Sequence, residues 1–153
     1  QAHPRRLLIF GGLGGVGQNL IRSFAKRPLE QIVIVGRSPL NEKIKAALNE
    51  LASAAKAIEY QSLDVLNESE LNTFLTTAFS RPVPFDLIVH SVGREFSEVL
   101  SNTSIEHIDQ IVDGKLILAK ALAQAAKDHP ETRFIFNSSI IPEFGNAGQT
   151  PYG

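Results

Sequence analysis

Short apolar, β-favouring runs alternate with longer stretches of helical periodicity from one end of the chain to the other. Leu7-Leu8-Ile9-Phe10, Ile32-Val33-Ile34-Val35 and Leu87-Ile88-Val89 are continuously apolar rather than alternating. Continuous runs suit strands covered on both faces, as in a parallel sheet. The pattern predicts strands at Arg6–Phe10, Gln31–Val35, Ala57–Gln61, Asp86–His90 and Arg133–Asn137. Helical periodicity fills the intervals at about Val16–Arg27, Asn41–Ala55, Glu68–Ser80 and Ser104–Lys127. Alternation of this kind predicts a doubly wound α/β fold with a parallel sheet. Right-handed crossovers place helices on both faces, and ligands bind at the carboxyl ends of the strands.

Punctuation agrees with these elements. Pro28 closes the first helix, because the residue before a proline is biased away from helical angles. Asn67 precedes Glu68-Ser69-Glu70 as an N-cap with acid in the first turn. Arg81-Pro82-Val83-Pro84 ends the third helix and leads into the fourth strand. On the long fourth helix, steps of about 100° put Ile105, Ile108, Val112, Leu116, Ala119, Leu122, Ala123 and Ala126 on one face. Lys115 falls inside that apolar arc, where a lysine needs either room to reach water or a specific role. Gly114 beside it costs about 1 kcal/mol relative to alanine in a helix interior, and so marks a close approach or an irregularity.

The stretch Phe10-Gly11-Gly12-Leu13-Gly14-Gly15-Val16-Gly17 sits between the first strand and the first helix. In that context glycines admit a dinucleotide phosphate close to the backbone, and the first helical amides and the helix dipole favour its charge. Two registers fit: Gly12, Gly14 and Gly17 as G-x-G-x-x-G, or Gly11, Gly15 and Gly17 as G-x-x-x-G-x-G. Such a Rossmann-like site commonly reads a ribose hydroxyl with an acid at the end of the second strand. Here that strand ends Val35-Gly36-Arg37-Ser38. A planar guanidinium and a hydroxyl suit a 2′-phosphate, so the expected cofactor is NADP(H). Asp64, followed by Val65, ends the third strand, where its carboxylate could meet an adenine amino group or cap a turn. Ser91-Val92-Gly93 after the fourth strand lets a ribose pass close to backbone.

Composition adds mainly exclusions. The chain has 153 residues, 43% apolar and 20% charged, which predicts one domain over 1–153. A net charge of −1 offers no global attraction for nucleic acid or an anionic membrane. No run approaches the ~18 apolar residues of a membrane span, and the run after Arg5-Arg6 is too short for a signal peptide. Cysteine is absent, which excludes disulfides and thiolate metal sites and fits a reducing, cytoplasmic compartment. His3, His90, His107 and His129 are scattered, so no metal is expected.

After the last strand, Ser138-Ser139 and the downstream Tyr152 could share a cleft with Lys115. That trio suits proton donation to a carbonyl receiving hydride. A cation lowers the tyrosine pKa from its ordinary ~10, and a serine hydroxyl holds the carbonyl oxygen.

In these motifs the chain resembles the short-chain dehydrogenase/reductase family, and most of all the ketoreductase domains of polyketide and animal-type fatty acid synthases. The resemblance rests on the glycine stretch, Val35-Gly36-Arg37-Ser38, Leu63-Asp64-Val65 and His90-Ser91-Val92-Gly93. It continues through Phe136-Asn137-Ser138-Ser139 to Gly145-Asn146-Ala147-Gly148-Gln149 and Tyr152. It implies Tyr152 as proton donor, Ser139 as the active-site serine, Lys115 as the helix lysine, Arg37 as the NADPH contact and Asp64 as the adenine contact. The family spacing favours the Gly11, Gly15, Gly17 register, with Gly12, Leu13, Gly14 and Val16 in the same cofactor loop. Phe10 replaces the threonine that usually opens it. The implied reaction is NADPH-dependent reduction of a β-keto acyl thioester on an acyl carrier protein, within a larger polypeptide or assembly. Two alternatives remain: a non-catalytic, scaffold-type reductase domain, or a short-chain reductase acting on a free ketone. Family domains continue past the tyrosine with another helix, a strand, a lid and a last strand. A chain ending at Gly153 is therefore expected to be an excerpt with low activity alone.

Overall fold

Leu7, Leu8, Ile9 and Phe10 have no solvent exposure, because the strand they form, β1 (Arg6–Phe10), runs through the middle of the sheet. The computed structural model describes residues 3–93, 104–139 and 143. Among these, β1 is joined by β2 (Leu29–Gly36), β3 (Ala55–Ser62), β4 (Leu87–His90) and β5 (Arg133–Phe136). The order is β3-β2-β1-β4-β5 and every neighbouring pair is parallel, as predicted. The crossovers contain α1 (Gly15–Phe24), α2 (Glu42–Glu50), α3 (Glu68–Phe79) and α4 (Ile105–Asp128). The winding runs outward from β1 to β3 and then jumps back to β4, so a topological switch point lies between β1 and β4.

Strand alternation divides the core in two. Leu8, Phe10, Val33, Val35 and Ile88 meet Leu71 and Leu75 of α3 and Leu118 and Leu122 of α4. Leu7, Ile9, Ile32, Ile34 and Val89 meet Ile21 of α1 and Leu51 beyond α2. Phe10 stands edge-on to Phe74 of α3, with ring centroids 5.9 Å apart. Each fully buried side chain of this size contributes about 1.5–3 kcal/mol, so the two-faced cover explains the continuous apolar runs. No helix among the described residues is long and apolar enough to cross a membrane.

Several boundaries differ from the sequence expectations. α1 ends at Phe24, before Pro28, and β2 begins at once after the proline so that Leu29 can bury and pair with Ala55. α2 stops at Glu50, where a 3-10 turn over Ala52–Ala54 tucks Leu51 and Ala54 into the core before Ala55 opens β3. Asp86 precedes β4, and its Oδ2 accepts from the amides of Arg5 (2.9 Å) and Arg6 (2.7 Å), tying down the start of β1. The buried face of α4 is also rotated from the predicted arc. Leu122 is buried as predicted, but so is Leu118, which lies outside the arc, whereas Val112 and Leu116 are 40% and 43% exposed. Lys115 shares the Leu118–Leu122 side, at three- and seven-residue spacing, because that is the side turned to the strand ends. Asn67 caps α3 as predicted: its Oδ1 accepts from Glu70 N at 3.2 Å while its Nδ2 donates to the Glu70 carboxylate at 2.7 Å.

Candidate functional site

The site begins where β1 stops. Gly11 N donates to Val35 O at 2.8 Å and Ser91 N donates to Phe10 O at 2.9 Å, so the ladder extends one residue past the strands. Gly11 then turns with φ +79°, and a Cβ there would lie 2.4 Å from Ser91 O, which leaves glycine as the residue that fits. Gly12 packs down onto the sheet, where a Cβ would lie 2.8 Å from Ile9 Cγ2. Gly17, inside α1, is equally confined, since a Cβ would fall 2.4 Å from Gly11 O. These contacts seat the N-terminus of α1 directly on the turn.

The other side of the turn is open. Gly14, Gly15 and Val16 are exposed, and among the described residues a Cβ on Gly15 would meet nothing within 4 Å. Gly14 caps α1 with no side-chain hydrogen bond and no acid in the first turn, while Gln18 Nε2 donates to Leu13 O to brace the loop. The first helical amides thus carry the positive end of the helix dipole without a capping carboxylate, which suits a phosphate.

A cleft of about 290 Å3 opens at the carboxyl ends of β1, β2 and β4, beside this turn. Its walls bring together Gly11, Gly14, Arg37, Asp64 and Val65 with Ser91, Val92, Gly93 and Lys115. Gly12, Leu13, Gly15, Val16, Gly17, Ser38 and Ser139 lie outside the lining; Ser38 follows Arg37 in an exposed loop, and Ser139 is partly buried beyond β5. Tyr152 lies outside the described residues. Gly36, Leu66 and Gly114 also line the cleft, and sequence reasoning did not name them as site residues. For Gly114 a signal existed in its cost to the helix. Among the described residues a Cβ there would meet nothing within 4 Å, so none of them accounts for the glycine by close approach.

Asp64 makes the turn-capping contact: its Oδ1 accepts from Leu66 N at 3.1 Å. Beneath Lys115 sits His90, the last residue of β4, which is 3% exposed. Its Nε2 lies 3.1 Å from Lys115 O, and a carbonyl only accepts, so Nε2 carries the proton and donates. Nδ1 is then a buried acceptor with no partner among the described residues. Burial pushes the His90 pKa below its ordinary value, and burial also lowers that of the Lys115 amine. Asn137 ties β5 to the same rim, with its amide donating to His90 O at 3.0 Å and its Nδ2 to Ser91 Oγ at 2.9 Å.

The geometry can therefore accept a phosphorylated ligand along a wall of small residues, with cations at two points, Arg37 and Lys115. The KR domain family profile matches residues 6–153. Polyketide synthase PksN of Bacillus subtilis (strain 168) is 32% identical over 146 residues, which is 95% of this chain and 3% of the relative. The chain thus spans a small part of that protein's length. A ketoreductase domain from the bacillaene assembly line superposes with a TM-score of 0.85 at 28% identity, covering 96% of this chain and 36% of that one. ElxO, solved with NADP bound, shares the fold at 21% identity with a TM-score of 0.77, covering 97% and 61%. With the profile spanning nearly all of the sequence and the solved ketoreductase sharing its sheet, the chain belongs to the KR domain family, of the short-chain dehydrogenase/reductase fold.

Proposed function

We propose that this chain carries the NADPH-binding and proton-donating parts of a ketoreductase. It would reduce a β-keto acyl thioester on an acyl carrier protein to the β-hydroxy form, within a polyketide or fatty acid synthase. The observation that carries the reading is that Arg37, with no acid beside it at the end of β2, and Lys115 line one cleft over the β1 turn.

NADPH, when bound, supplies the hydride. The amides at the start of α1 and the Gly11–Gly17 turn hold its diphosphate. Arg37 and Ser38 hold the 2′-phosphate, Asp64 and Val65 flank the adenine, and the Ser91-Val92-Gly93 rim accommodates the ribose. ElxO's bound NADP supports this choice by fold alone. Ser139 holds the carbonyl oxygen, and Tyr152 gives that oxygen its proton as the carbon accepts hydride. The Lys115 ammonium lowers the tyrosine pKa by favouring phenolate, and so makes the phenol a better acid.

In the full-length protein, Tyr152→Phe should abolish consumption of NADPH with a carrier-bound β-keto thioester while NADPH still binds. Turnover that survives the substitution contradicts the proton-donor assignment. A wild type that reduces free ketones and ignores the thioester contradicts the substrate class.

A further inference from the structure

We propose that Tyr60 and Ser62, on the edge strand β3, are positioning residues that set cofactor preference by holding the Arg37–Ser38 loop. The inference rests on the reading above that Arg37 meets a 2′-phosphate.

Residues 37–40, between β2 and α2, are all exposed, so burial does little to fix their path. Tyr60 Oη donates to Ser38 O at 2.7 Å, and Ser62 Oγ donates to Arg37 O at 3.2 Å. Two consecutive carbonyls are thereby tied to two residues on one face of β3, which the parallel register places opposite Ile34 and Gly36. Gly36 makes the arrangement possible. A Cβ there would lie 2.7 Å from Tyr60 Oη and 3.2 Å from its ring, so the missing side chain lets the ring lie across the end of β2. Burial pushes the Tyr60 pKa up, which keeps the hydroxyl a donor at working pH.

The backbone from which Arg37 projects is thus held at both of its last carbonyls before the loop leaves the sheet. A guanidinium discriminates a phosphate from a hydroxyl only when its fork meets the oxygens in a fixed geometry. Loosening the backbone should therefore weaken NADPH binding and leave NADH, which lacks the 2′-phosphate, little changed.

The test compares dissociation constants for NADPH and NADH by fluorescence titration of the full-length protein. The variants are Tyr60→Phe, which keeps the ring, and Ser62→Ala, which removes an exposed hydroxyl from a strand edge. Each lost hydrogen bond should weaken NADPH about two- to tenfold, with the double variant lower still and the NADH constant unchanged. A wild type that prefers NADPH, paired with variants that keep the full preference or lose both cofactors equally, overturns the positioning role. A wild type without that preference overturns the Arg37 reading itself, and this inference with it.

Discussion

His90 Nε2 donates to the main-chain carbonyl of Lys115 across 3.1 Å, joining the end of β4 to the point on α4 where the lysine faces the cleft. The ring is buried, and burial holds it neutral, with the nearby Lys115 charge adding to that effect and the hydrogen bond opposing it. Unfolding frees the imidazole to take a proton below its ordinary pKa of 6.5. The unfolded state then binds more protons, so stability falls as pH drops below that value. The contribution is fully present above it. Thermal midpoints should decline as pH falls below about 6.5, and His90→Gln, which can still donate but does not titrate, should flatten that decline. Equal slopes for both proteins would remove His90 as the cause. Glu30, whose pKa is lowered from 4.5 by its bond with Arg5, acts in a separate, more acidic window.

Gly17 and Gly15 should separate folding from binding. At Gly17 an added methyl meets backbone, 2.4 Å from Gly11 O and 2.7 Å from Gly12 Cα, which cannot swing aside. Gly17→Ala should cost about 1–3 kcal/mol, read as a lower urea midpoint. Gly15 faces open space at the start of α1, so alanine there should leave stability unchanged or raise it by up to about 1 kcal/mol. The same methyl occupies space proposed for the diphosphate, so Gly15→Ala should weaken NADPH binding in titrations while the fold is intact.

Lys115→Met keeps the aliphatic stem on the Leu118–Leu122 side of α4 and removes the charge. Reduction should slow roughly 10²–10⁴-fold with the NADPH dissociation constant little changed. On the proposed roles the pH–rate profile should shift to higher pH, since Tyr152 would lose the cation proposed to lower its pKa. A Km effect with unchanged kcat would assign Lys115 to substrate binding instead.

Much of this was legible in the sequence, for identifiable reasons. The apolar runs 7–10 and 32–35 are buried on both faces, so their hydropathy alone located the centre of the sheet. Helix ends were less readable, because α1 and α2 stop where Leu29 and Leu51 must reach the core, a tertiary demand that a proline signal does not express. Lys115 stood out inside an apolar arc, yet the arc itself was misplaced. Leu122 is buried as its place in the arc predicts, but Val112 and Leu116 are apolar residues on an exposed side, and periodicity does not distinguish them from Leu118. Contacts between distant strands were invisible. Tyr60 and Ser38 are separated by 22 residues, and only the parallel register of β2 and β3 brings them together. His90 looked like one of several scattered histidines because its partner is a backbone carbonyl, which leaves no mark in a sequence.

At the β1–β4 switch point we propose an NADPH site in which Arg37 reads the 2′-phosphate. Parallel titrations of the full-length protein and its Arg37→Gln variant with NADPH and NADH test it most directly. The wild type should bind NADPH at least about tenfold more tightly than NADH, and the variant should lose that margin while its NADH affinity stays the same, since a charged hydrogen bond of this kind contributes about 1.5–3 kcal/mol. Equal affinities in the wild type, or a preference for NADPH that survives Arg37→Gln, would contradict it.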